Sequence, residues 1–193
     1  MGHDAVQIQV RVGLSRIAGQ GLFAAQDIPP GTCIIAYMGE KISSPESARR
    51  RAAGNAYIFH LNYRSAIDGQ TLDNTARYIN HSCNPNCAVA KTDGTLWIVA
   101  ICDITTGEEL SFNYGYEMTH YQNNPCNCGA QNCCGYILDQ QYWGRIPRAA
   151  RTSQRPATRH PHSRLQKTVR HASQQGRLSP KASPRGFEPL LPA

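Results

Sequence analysis

The sequence predicts a mainly β domain with few short helices, followed by a basic tail. Short alternating or apolar runs recur through the first 144 residues, separated by Gly, Pro and Asn turns, as many short strands require. Only one stretch carries helix punctuation. Charge also divides near Trp143. Residues 1–144 hold 9 Lys and Arg against 12 Asp and Glu, a net of −3, while residues 145–193 hold 11 against Glu188 alone, a net of +10. The overall +7 is therefore a property of the tail.

Val6 to Val12 alternates strictly between apolar and polar residues, the period of a half-buried strand. Ile34–Tyr37 and Trp97–Ile101 are short apolar runs bounded by turn residues, so strands are expected there too. Tyr57, Phe59 and Leu61 alternate with their neighbours, as do Leu110, Phe112 and Tyr114. The one expected helix runs from Ser44-Pro45-Glu46 through Arg51, with a Ser cap and Pro at its start. Two stretches echo each other, Ala24-x-x-Asp27-Ile28-x-x-Gly31 and Ala100-x-x-Asp103-Ile104-x-x-Gly107. Each is expected to end a strand and turn at its Gly.

The tail, residues 145–193, has 7 of the 12 prolines and a single aromatic residue, Phe187. Such a segment buries too little apolar surface to offset its ordering entropy, and disorder is expected. Its arginines are spread out, which argues against a compact nuclear-localisation block. It reads equally as a solvated linker or as an arm for nucleic acid or an acidic surface. No apolar run approaches the ~18 residues of a membrane span, and no secretory signal is visible. Met1-Gly2 lacks the Ser or Thr that myristoylation wants, since position 6 is Val6. The expectation is a monomer, without membrane attachment, in a reducing intracellular compartment; nucleus and cytoplasm are not distinguished.

The richest segment is Arg77-Tyr78-Ile79-Asn80-His81-Ser82-Cys83-Asn84-Pro85-Asn86-Cys87. Pro lacks an amide donor and Asn favours turns, so this is a loop dense in coordinating side chains. Gly19-Gln20-Gly21 lets backbone approach a ligand closely, although alone it is only a tight turn. Tyr37-Met38-Gly39-Glu40 and Gly107-Glu108-Glu109-Leu110-Ser111-Phe112-Asn113-Tyr114 complete the polar and aromatic inventory. Cys126-x-Cys128-x4-Cys133 places three thiols within eight residues, a spacing that suggests a structural zinc wanting a fourth ligand. Cys134 adjoins Cys133 and is poorly placed, which leaves Cys83 or Cys87. The alternative is a disulfide set in an exported protein. Cys33, Cys102 and Cys134 read as ordinary small residues.

Taken in order, these segments resemble SET-domain methyltransferases, which transfer methyl groups from S-adenosylmethionine to protein lysines. The resemblance spans Ser15 to Tyr136 and implies a SET-domain fold of small curved sheets with a pseudoknot and a C-terminal zinc loop. It implies a SET domain over 1–121, a post-SET zinc segment over 122–144, and the tail beyond. The backbone of Ala18, Gly19, Gln20 and Gly21 would line the cofactor, with Tyr57, Arg77, Tyr78, Asn80 and His81. Tyr114 would be the catalytic tyrosine, with Tyr37 and Phe112 lining the lysine channel. Phe112 implies room for di- or trimethylation, where Tyr would limit the product to one methyl group. Asn113 departs from the more common Asp.

The post-SET resemblance selects Cys83 as the fourth zinc ligand beside Cys126, Cys128 and Cys133, which leaves Cys87 an ordinary small residue like Cys33, Cys102 and Cys134. The implied function is an S-adenosylmethionine-dependent protein-lysine N-methyltransferase acting on histones or other basic proteins, which the acidic body would attract. The alternative is a catalytically silent SET module that binds peptide or nucleic acid.

Overall fold

The computed structural model describes residues 8–147, except 93, together with 188–189. Strands β1 (Val10–Leu14) and β2 (Gln20–Ala24) form an antiparallel hairpin, registered from Val10–Ala24 to Leu14–Gln20. The alternation read from Val6 thus appears as a strand only from Val10. Ile8 and Val10 pack toward the core, whereas Val12 and Leu14 lie outside it. Residues 6 and 7 lie outside the described residues.

A second sheet contains β3 (Cys33–Tyr37), β8 (Cys87–Thr92) and β9 (Thr95–Ala100), with β9 in the middle; the two-residue strand β11 (Glu188–Pro189) pairs at the outer edge of β8. Ile101, expected within the strand, lies one residue past its end and is exposed, although its N–H still donates to the Asn86 carbonyl in register with the β8–β9 ladder. A third sheet has β6 (Ser65–Asp68) between β4 (Glu40–Ser43) and β5 (Ile58–Asn62). Helix α1 (Ser44–Ala52) connects β4 to β5. Its cap is Ser43, one residue earlier than expected, whose hydroxyl accepts from the Glu46 N–H.

Strands β7 (Asn80–His81) and β10 (Ser111–Phe112) pair in parallel, Ser111 with Asn80 and Phe112 with His81. On the opposite side, Leu110 N–H donates to the Leu22 carbonyl and Ala24 N–H to the Glu108 carbonyl. Residues 108–112 are thereby threaded between β2 and β7, the pseudoknot of the fold. The two echoing stretches pair with each other. Ile28 and Ile104 exchange both backbone hydrogen bonds, Gly31 N–H reaches the Ala100 carbonyl, and Gly107 N–H reaches the Ala24 carbonyl. The echo is a local two-fold. It breaks at one point: Asp27 accepts from the Thr106 N–H, but the counterpart of Thr106 is Pro30, which has no N–H to give Asp103.

The main core gathers Leu22, Leu96, Ile98 and Leu110, all fully buried, around Ile28, Ile79 and Ile104. Each such side chain contributes about 1.5–3 kcal/mol through burial. A smaller core packs Cys83, Cys126, Cys134 and Tyr136 with Leu138 and Ile146. Packing thus continues through Ile146, two residues past Gly144.

Candidate active site

A 3-10 turn over Thr75–Tyr78 delivers Arg77 and Tyr78 to the start of β7. The Arg77 guanidinium lies 4.2 Å over the Tyr57 ring and 5.6 Å from the Tyr78 ring, and donates to the Gln70 carbonyl. After β7 the chain turns: Ser82 N–H donates to the Phe112 carbonyl, and Asn84 N–H to the Ser82 hydroxyl. Asn86 then anchors the threaded segment from below. Its amide donates to Glu108 Oε1 and the Glu109 carbonyl, and its Oδ1 accepts from Ser111 N–H. The role of Asn86 was not read from the sequence, although Asn after Pro in this loop was a visible signal.

The Asn80 side chain faces the Gly19-Gln20-Gly21 loop. Its Nδ2 lies 3.0 Å from Ser15 Oγ, 3.3 Å from the Ala18 carbonyl, 3.1 Å from the Gln20 carbonyl and 2.8 Å from Glu109 Oε1. Ser15 also donates to Glu109 at 2.7 Å. Two amide hydrogens shared among four acceptors tie the glycine loop to the pseudoknot. A Cβ on Gly21 would lie 2.4 Å from Glu109 Oε1, so a larger residue there would push the Glu109 carboxylate away from Asn80. Gly19 takes φ +50°, a left-handed turn that glycine adopts freely.

His81 is buried, and burial pushes its pKa down to about 4, so the ring is neutral. Its Nδ1 accepts from Tyr114 N–H at 3.2 Å, which assigns the proton to Nε2. The Tyr114 hydroxyl donates to the Ile79 carbonyl at 2.9 Å, and the Tyr37 hydroxyl to the Tyr57 carbonyl at 2.8 Å. Burial holds both phenols above the ordinary tyrosine range, so both remain O–H donors at neutral pH. Aromatic rings run in a row: Tyr37 to Phe59 at 5.7 Å, Phe59 to Phe112 at 6.4 Å, Phe112 to Tyr114 at 5.0 Å and Tyr114 to Tyr116 at 5.8 Å. Phe59 and Tyr116 join this row, although the sequence marked Phe59 only as a strand residue.

The sulfurs of Cys83, Cys126, Cys128 and Cys133 all lie within 4.8 Å of one another. Cys83 is 3.8 Å from Cys126 and 3.8 Å from Cys133. A tetrahedral ion with Zn–S bonds of about 2.3 Å needs sulfurs about 3.8 Å apart, so these residues fit such a metal. Cys134 comes within 4.0 Å of Cys83 but gives its S–H to the Tyr136 carbonyl. Cys87 lies elsewhere, in the main core, where burial pushes its thiol up to about 12. Cys102 is exposed.

The SET domain family model matches residues 19–115, from the glycine loop to the end of the aromatic strand. The chain belongs to the SET-domain family. Among its relatives, the "Histone-lysine N-methyltransferase, H3 lysine-4 specific" of Aspergillus oryzae is 35% identical over 140 residues, covering 66% of this chain and 11% of that protein. The Drosophila melanogaster "Histone-lysine N-methyltransferase trr" is 38% identical over 134 residues, covering 64% of this chain and 6% of the relative. The human "Histone-lysine N-methyltransferase 2D" is 36% identical over 134 residues, covering 64% and 2%. The chain therefore spans only a small part of each of these relatives. Among the described residues no helix is long and apolar enough to cross a membrane.

Proposed function

We propose that this SET-family chain is an S-adenosylmethionine-dependent protein-lysine N-methyltransferase for histone tails or other basic proteins, working as a monomer. The observation that carries the reading is the row of Tyr37, Phe59, Phe112 and Tyr114 beside the Asn80–His81 strand. The relatives' names point to the same reaction. S-adenosylmethionine supplies the methyl group as a sulfonium substituent. The backbone of Ala18 to Gly21, with Tyr57, Arg77, Tyr78, Asn80 and His81, forms the wall that receives it.

The nucleophile is a lysine amine whose reference pKa is about 10.4, so presenting it neutral at pH 7 costs roughly 4–5 kcal/mol. A channel lined by four aromatic rings excludes water and lowers that cost by disfavouring the ammonium form. The Tyr114 oxygen, already donating to Ile79, keeps lone pairs with which to orient the amine. In-line alignment of the amine is the remaining task, and a fixed channel accomplishes it by positioning. Phe112 in place of Tyr leaves room for dimethyl and trimethyl products.

Cys83, Cys126, Cys128 and Cys133 would hold a structural Zn2+. These four residues, holding the ion, would tie the loop after β7 to residues 122–144, proposed as a post-SET segment following the SET unit of residues 1–121. The basic tail of residues 145–193 is proposed as an arm for nucleic acid or an acidic surface, and it lies outside the described residues apart from 145–147 and 188–189.

The test is methyl transfer from radiolabelled S-adenosylmethionine to core histones, using the zinc-loaded chain beside Tyr114→Phe. Label that falls by about 10²-fold or more in the variant supports the enzyme. Cofactor binding without transfer to histones would shift the search to other basic proteins, and no cofactor binding at all would favour the silent module.

A further inference from the structure

Asp68 ends β6 with a buried side chain that is fully engaged. Its Oδ2 accepts from Arg50 Nη1 at 2.6 Å, while Oδ1 accepts from Asn55 Nδ2 at 2.8 Å and from Gln70 N–H at 3.0 Å. Two of these contacts, and the residue next to Asp68, lead to the candidate site. Asn55 Oδ1 accepts from Tyr57 N–H at 2.9 Å. Gly69, adjacent to Asp68, donates its N–H to the Tyr57 carbonyl at 2.9 Å. That same oxygen receives the Tyr37 hydroxyl. Gln70 in turn accepts from Arg77, whose guanidinium covers the Tyr57 ring.

The packing leaves little slack. A Cβ on Gly69 would lie 2.4 Å from Asn74 Nδ2 and 2.6 Å from the Tyr37 ring. The far end of the network is on α1, where Arg50 also binds Glu40 at 2.8 Å and Glu46 at 2.6 Å. Clefts of about 260 and 250 Å³ border Arg50, one lined by Asn55 and the other by Asp68. Burial raises the Asp68 pKa, but hydrogen bonds from Arg50, Asn55 and Gln70 outweigh it and leave the carboxylate charged.

We propose that Asp68 is a positioning residue for methyl transfer. It fixes both backbone groups of Tyr57, through Asn55 and Gly69, and so fixes the Tyr37 hydroxyl in the lysine channel; Arg50 couples this arrangement to α1. The proposal rests on the methyltransferase reading above. It predicts a division of labour, because Asp68 shares no hydrogen bond with the Ser15–Asn80–Glu109 cluster that holds the glycine loop.

The experiment uses the full zinc-loaded chain and the variants Asp68→Ala, Asp68→Asn and Arg50→Gln. Asp68→Ala is expected to lower kcat about tenfold or more and to change the ratio of mono- to higher methylation. Its affinity for S-adenosylmethionine should fall less than its kcat, because Tyr57 also lines the cofactor wall while the Ser15–Asn80–Glu109 cluster stays intact. Asp68→Asn keeps an oxygen for Asn55 and Gln70, so its kcat should stay within about threefold.

Amide exchange gives a readout independent of activity. Tyr57 and Gly69 should exchange faster in Asp68→Ala, while Leu22 and Leu110 stay protected. Equal losses in the Ala and Asn variants, a parallel loss of cofactor affinity, or unchanged exchange at Tyr57 would overturn the proposal. A wild-type chain that transfers no methyl group sinks the methyltransferase reading instead, and the exchange data still decide whether Asp68 holds Tyr57. If Asp68→Ala does not fold, Arg50→Gln carries the same comparison, with a smaller change expected at Tyr57.

Discussion

Removing one sulfur from the cysteine cluster separates a metal site from a set of packed thiols. Structural zinc contributes an apparent 10–16 kcal/mol in small peptides, or about 2.5–4 kcal/mol per ligand when divided among four. At about 1.4 kcal/mol per tenfold, Cys83→Ser should weaken zinc roughly 10²–10³-fold. Cys134 is the built-in control. It is buried like Cys83 and Cys126 and 4.0 Å from Cys83, yet its S–H is directed to the Tyr136 carbonyl. Cys134→Ser should therefore leave zinc affinity unchanged and cost only about 1 kcal/mol of stability, since the Ser hydroxyl can still donate to that carbonyl. The assay is metal content against a graded chelator, in wild type and both variants, with one zinc per chain expected. Equal metal loss in the two variants, or a loaded wild type that retains no zinc, would refute the geometric reasoning. Metal loss should also reach the active site, because the Cys83 sulfur is 3.6 Å from His81 Nε2.

Gly39→Ala should destabilise the fold by about 1–3 kcal/mol in urea titration, since the new Cβ would lie 2.2 Å from the Asp68 carbonyl oxygen, and a backbone atom cannot rotate away. Gly144→Ala, whose Cβ would meet open space, should stay within about 0.5 kcal/mol, and similar losses at both glycines would contradict the packing. Stability should also fall as pH rises through about 10, because burial raises the Tyr114 pKa in the folded state and the unfolded chain sheds that proton first. The stability difference between wild type and Tyr114→Phe should narrow from pH 8 to about pH 11, and a flat difference would exclude this phenol as the source.

Much of the architecture was readable because it is written in local pattern. Period-2 alternation marked the strands holding Phe59 and Phe112, and the Ser-Pro-Glu start marked α1 to within one residue. Val6 shows where that signal runs out: alternation marks a face but not where pairing begins, and β1 gains its partner only from Val10. The ring row was half legible. Tyr37, Phe112 and Tyr114 stood out through motif, whereas Phe59 looked like any alternating strand residue until β5 was seen to lie beside them.

The sequence by itself determined the family, the mainly β class, the polar loop at Asn80–His81 and the three clustered thiols, because these depend on residue types at short, fixed spacing. Tertiary structure alone decided what depends on distant segments meeting. By spacing Cys83 and Cys87 were both open as a fourth thiol, and only the family resemblance chose Cys83; in three dimensions the turn after β7 sends Cys83 to the C-terminal cluster and Cys87 into the main core. The echoing stretches proved to be each other's partners, and Asp68 became the hub of the Tyr57 backbone. Such contacts arise from sheet pairing and from the threading of β10 past β7, and no local period records either.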